Sequence, residues 1–186
     1  MENNLNESEL SKAYLAKCLR RLKEWGAPLE DWRCVDLIDM CEGDDEDAPP
    51  AFAKCDLCDC HKVRYVHVMD HPLYFEEVRV GCICAGIMEG DVLAAKERER
   101  LMKNRSQRRK NFVAGKWKEA TPRKALRLYT RTHKGQKLWI SVFPGNRYYV
   151  RCAEKTTSKY KGRPIDNFYS AVYAAFDLAD PLEDIL

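Results

Sequence analysis

The feature that most restricts the fold is a set of two cysteine pairs, Cys55-x-x-Cys58 in CDLCDCH and Cys82-x-Cys84 in VGCICA. A CxxC turn sets two thiolates around one ion. A second close pair brought alongside completes a tetrahedron with Zn–S bonds of about 2.3 Å. The residues between the pairs read as the hairpin that would do this. KVRYVHVM (62–69) alternates in strand fashion, HPLYF breaks the run, and EEVRV (76–80) returns to Gly81. Knuckle, hairpin, second pair and helix follow in the order of a treble-clef-like finger. The spacing therefore predicts one structural zinc ion held by Cys55, Cys58, Cys82 and Cys84, with no position left for water. The CxC spacing is tighter than CxxC, so His67, projecting from the hairpin toward the site, is the substitute for Cys84. Cys60 and His61, just past the knuckle, are spare or supporting groups.

The remaining composition fits this reading. The nine cysteines are an odd number, and the polar, acidic start MENNLNESEL has neither the basic residues nor the apolar core of an export signal. Reduced thiols or metal ligands in a cytoplasmic protein are expected, not a disulfide framework. No apolar run approaches the roughly 18 residues that a membrane span needs.

Residues 6–25 read as an amphipathic helix. Asn6 is the cap, Glu9 completes a capping box, and Leu10, Tyr14, Cys18 and Leu22 form the apolar stripe. Residues 29–41 read as a second helix, with Leu29, Trp32, Val35, Ile38 and Cys41 near one face, so that 1–41 forms a helical hairpin. Cys18, Cys34 and Cys41 lack paired spacing and read as small core residues. The acidic, proline-ended stretch 42–54 is a linker. Segment 55–118 holds the zinc hairpin and a basic helix over 92–113. In 119–186, strands at 124–131, 136–143 and 146–152 precede a helix at 169–179, a β-β-β-α module. The fold class is α+β.

Charge is unevenly spread. Residues 1–54 carry 7 Lys/Arg against 13 Asp/Glu, residues 55–95 carry 3 against 7, and residues 96–186 carry 22 against 9. Lys103, Arg105, Arg108, Arg109 and Lys110 follow the last acid of the helix and suit phosphate contacts. Arg147 and Arg151, interleaved with Tyr148 and Tyr149, suit backbone tracking with base stacking. Trp117 and Trp139 read as core.

YVHVMDHP (65–72) followed by VGCICAGIMEGD (80–91) resembles a family of uncharacterised bacterial and phage-associated zinc-binding proteins, which share a CxxC, an HVM-x-HP hairpin, VGC-x-CA and an Arg-rich helix. The resemblance covers residues 25–118 most closely and implies zinc binding and fold more than activity. Asp70-His71 between the cysteine pairs also resembles the DH motif of HNH nucleases, which implies His71 as general base. The following helix contains no histidine and so lacks the metal ligand that such an enzyme requires.

These readings lead to a zinc-stabilised, non-enzymatic nucleic-acid-binding protein, with DNA and RNA both open. The alternatives are a module that acts on a protein partner, as in phage–host conflict, and a divergent HNH-like nuclease.

Overall fold

The computed structural model describes residues 11–41 and 49–186. The expected cap Asn6, together with Glu9 and Leu10, lies outside these residues, as does most of the acidic linker. The chain is α+β and divides into two compact units, one of residues 1–103 and 185–186, the other of residues 104–184.

The first unit begins with helix α1 (Lys12–Glu24). Its four-residue spacing places Cys18 and Leu22 on one face, and both are fully buried. Gly26, at φ 64°, ends it; only glycine adopts that left-handed geometry without a Cβ penalty. The segment read as a second helix is instead strand β1 (Arg33–Asp39). Val35 and Leu29 of the supposed apolar stripe are exposed, whereas Trp32 and Leu37 are buried. RCVDLID satisfies helical and strand periods alike. Pairing decides between them, because β1 runs antiparallel to β2 (Tyr65–His71), with a bulge between Cys34 and Asp36. The buried Asp39 carboxylate fixes this edge, accepting from Arg64 Nε at 2.9 Å and from its second terminal nitrogen at 3.0 Å. There is thus no helical hairpin.

Strand β2 pairs in turn with β3 (Tyr74–Val80), giving the sheet order β1-β2-β3. Central β2 is buried on both faces, with Tyr65, Val66, Val68 and Met69 among its buried residues. Helix α2 (Cys82–Glu89) follows at once and ends at Gly90, φ 81°. Helix α3 (Val92–Val113) then begins, with the Asp91 carboxylate accepting from Ala94 N–H at 2.9 Å. The two helices meet closely at Gly86, where a Cβ would overlap the Val92 backbone. Cys18, Leu22, Trp32, Leu57, Met69, Val78, Val80, Cys84 and Met88 belong to this unit's core.

The division between the units falls within α3, not at residue 41 or 118. Two contacts explain why: β1 binds to the hairpin strand, and Phe112 at the end of α3 belongs to the core of the second unit.

In the second unit the three expected strands are present as β5 (Arg127–His133), β6 (Gln136–Phe143) and β7 (Arg147–Cys152). The short strands β4 (Lys118–Ala120) and β8 (Lys155–Thr157) extend the sheet to the antiparallel order β4-β5-β6-β7-β8. A small ribbon, β9 (Lys159–Tyr160) with β10 (Arg163–Pro164), leads to helix α4 (Phe168–Ala179). Asn167 caps α4, its side chain accepting from Ser170 N–H at 2.9 Å. Alternation turns Leu138, Ile140, Val150 and Cys152 toward Phe176 and the alanines of α4. Trp139, Ser141 and Phe143, paired across from Arg151, Tyr149 and Arg147, take the opposite face. Among the described residues, no helix is long and apolar enough to cross a membrane.

Candidate metal centre and candidate nucleic-acid interface

The knuckle folds as its spacing demands. Cys55 N–H donates to Cys60 O at 2.8 Å and Asp59 N–H to Cys55 O at 3.0 Å, with Asp59 at φ 62°. Asp59 bears this left-handed turn because its carboxylate is held by Arg21 at 2.8 Å and Lys54 at 2.6 Å. Lys17 Nζ reaches Cys58 O at 3.2 Å. Two turns of α1 are therefore pinned onto the knuckle.

Cys55, Cys58 and Cys84 place their sulfurs within 4.8 Å of one another. A tetrahedral ZnS4 centre would separate them by about 3.8 Å, so the three fit one ion with little movement. Cys18 of α1, with no exposed surface, lies beside them, and Cys84 is the main cause that lowers its thiol pKa. The Tyr14 hydroxyl, one helical turn earlier, is 3.0 Å from Cys84 Sγ. Burial and the neighbouring Cys58 and Cys84 raise its pKa, so it stays protonated and donates.

Cys82 does not join them. Helix α2 begins at Cys82. At about 100° per residue, positions two apart on a helix point to nearly opposite sides. Cys84 therefore turns to the knuckle, while Cys82 falls into a different group with His67 and Glu99. His67 does not substitute for Cys84. Cys60 is exposed and takes no part. No spacing rule links Cys18 to Cys55. The available signal was that Cys18 shares a helical stripe with Tyr14 and Leu22.

The cluster is electrostatically poised for a cation. The bond from Cys84, reinforced by backbone N–H groups of Gly81 and Cys58, pushes the Cys55 thiol down to about 5. Hydrogen bonds to Cys18 and Cys55 hold Cys84 up, so that it keeps and shares its proton. A divalent cation among these sulfurs takes over the role of that proton. All nine cysteines are free thiols. Cys55, Cys58 and Cys84 are thus placed to bind a metal ion, and so are two groups that share His67.

The expected basic helix face is largely internal. Arg105 is 4 % exposed and Arg109 6 %. Arg105 donates to Asp180 O at 2.9 Å and to Asp177 at 2.7 Å. Arg108 grips the Asp180 carboxylate at 2.6 and 3.0 Å. Arg109 donates to Tyr160 Oη at 2.7 Å and lies over the Tyr173 ring. Lys103 pairs with Glu99 at 2.6 Å. Only Lys110 of this set is an exposed side chain with no partner of this kind among those described. The count of cations was legible in the sequence; the acids of α4 that meet them lie some seventy residues away.

Arg147 and Arg151 do lie on a surface. Together with Arg123, Lys124, Trp139, Phe143 and Tyr149 they line an open groove of about 870 Å³ on the outer face of the five-stranded sheet, and none of the lining residues is acidic. Arg151 lies over the Trp139 ring at 4.2 Å, Lys137 at 5.5 Å, and Phe143 meets Tyr149 edge-on at 5.3 Å. Trp139 is therefore a groove residue and not a core one, while Tyr148 takes the core side.

His71 is 7 % exposed, packs against Trp32, and accepts from Leu73 N–H at 3.0 Å through Nδ1. No protein-family model matches the chain, and no curated protein or solved structure matches it.

Proposed function

We propose that this is a non-enzymatic nucleic-acid-binding protein whose first unit is stabilised by zinc and whose contact surface is the outer sheet face of the second. The observation that carries the reading is the groove itself, with four cations, three aromatic side chains and no carboxylate among its lining residues. Guanidinium and ammonium groups follow a phosphate backbone, and aromatic faces accept bases of any sequence. The buried or half-buried thiols of Cys55, Cys58 and Cys84 favour zinc over harder cations, and buried Cys18 beside them is our candidate for the fourth sulfur that a closed, structural site needs. Binding assigned to the sheet replaces the expectation that the α3 arginines make the contact. His71 has its Nδ1 engaged and its ring buried, which gives the nuclease reading no support.

The test is titration of the full chain with labelled single-stranded and duplex DNA and RNA across salt concentrations. Affinity that falls steeply with salt, and falls further in Trp139→Ala, supports the reading. No binding at low salt overturns it. A second reading, a protein partner, is favoured by the exposed Leu73 and Phe75 at the β2–β3 turn, 83 % and 88 % accessible. Capture of one protein that survives nuclease treatment and is lost on Phe75→Ser would support that alternative.

A further inference from the structure

His67 has no exposed surface, and its Nε2 is buried without a hydrogen-bond partner. Leaving such an atom unmet carries the full cost of removing it from water. Facing it are Cys82 at the start of α2 and the Glu99 carboxylate of α3, the three ligand atoms lying within 4.8 Å of one another. Glu99 Oε2 is 4.0 Å from Nε2. That is long for a hydrogen bond. It is about 0.7 Å more than the separation of about 3.3 Å between nitrogen and oxygen ligands sharing one tetrahedral ion.

We propose that His67, Cys82 and Glu99 form a second site for a divalent transition metal, separate from the cluster of Cys55, Cys58 and Cys84, with a fourth position open to water or an added ligand.

The surroundings orient each ligand. Lys103 Nζ holds the other Glu99 oxygen at 2.6 Å, which leaves Oε2 directed at the imidazole. On the far side of the ring Nδ1 lies 3.9 Å from Cys34 Sγ. Arg98 also approaches Nδ1 at 3.5 Å, at the outer limit of a hydrogen bond, while its terminal nitrogens donate to Glu89 at 2.7 and 2.8 Å. A metal on Nε2 requires the tautomer with Nδ1–H, which Cys34 is placed to accept, the arrangement that a ligating histidine uses. The same Arg98–Glu89 pair fills the Nδ1 side with a cation, which selects the Nε2 side for the ion. One imidazole, one thiolate and one carboxylate suit Zn²⁺ or Co²⁺ over Mg²⁺ or Ca²⁺, and bring two negative charges to a doubly charged ion.

The test is metal stoichiometry on the full chain. Protein stripped under reducing conditions is titrated with Co²⁺ and then Zn²⁺, with the bound metal counted and the cobalt spectrum recorded. Two equivalents are expected. His67→Gln and Glu99→Gln should each lose one and keep the sulfur-rich spectrum of the other. Cys84→Ser should lose that spectrum and retain the second equivalent. Glu99→Gln, at a partly exposed position, decides the matter if His67→Gln fails to fold. A single equivalent in the wild type, removed by Cys84→Ser, overturns the second site and leaves the cysteine centre standing. Two equivalents that persist in Glu99→Gln overturn it as well.

Discussion

The Tyr14 hydroxyl stands 3.0 Å from the sulfur of Cys84, joining helix α1 to a residue seventy positions away. This contact, with buried Cys18 one turn further along α1, packs the N-terminal helix against the cysteine cluster. Groups that hydrogen-bond a metal ligand tune its affinity, typically by about 10–100-fold. Tyr14→Phe should therefore retain metal but weaken its binding about tenfold, measured by competition against a chromophoric chelator.

Cys18→Ser should weaken the metal more than Tyr14→Phe does, because it removes the proposed fourth sulfur. Cys60→Ser should leave metal content unchanged, since Cys60 is exposed beyond the knuckle. Chelation of the wild type should loosen α1, read as faster amide exchange in Lys12–Glu24. Equal effects of Cys18→Ser and Cys60→Ser would remove Cys18 from the site.

Asp180 anchors the second unit. Burial alone would raise its pKa, but hydrogen bonds from Arg108 and Lys134 hold it below the ordinary carboxylate value. The unfolded chain therefore takes up this proton at a higher pH than the folded one. The stabilisation is complete above about pH 3.9 and disappears as pH falls through the lower folded value. Asp180→Asn should cost roughly 3 kcal/mol, because it strands the cations converging on a carboxylate whose side chain is only 3 % exposed. Amide exchange in α4 as a function of pH measures both effects.

Trp139→Ala and Arg109→Ala should separate binding from folding. Loss of one stacking platform costs about 1–3 kcal/mol in nucleic-acid affinity, and Trp139 faces the groove, so its removal should leave thermal stability nearly unchanged. Arg109 is buried against Tyr173 and Tyr160, so its removal should lower stability while salt-dependent binding of the folded fraction persists. The reverse pattern would return the interface to α3.

Gly86→Ala should destabilise the first unit by about 1–3 kcal/mol, the usual cost of overpacking, since a Cβ there meets the Val92 backbone, which cannot swing aside. Chemical denaturation of the metal-loaded protein measures it.

The sequence by itself determined those features in which neighbouring residues decide the outcome. The knuckle at Cys55 and Cys58, the hairpin that follows, the full extent of α3 and β6, and the helix after Asn167 all rest on local spacing, alternation or capping. Tertiary structure decided what depends on partners far along the chain. RCVDLID fits two periods, and only the ladder with β2 makes it a strand. VGCICA holds two candidate thiols, and only the start of a helix at Cys82 sends one to the knuckle and the other to His67. Cys18 carries no spacing signal, because α1 brings it to the cluster across a long separation. The arginines of α3 look unpaired in one dimension, and the carboxylates that bury them arrive with α4. Local geometry is written in adjacent residues; the choice of ligand and of free cation is made by whatever distant element reaches them first.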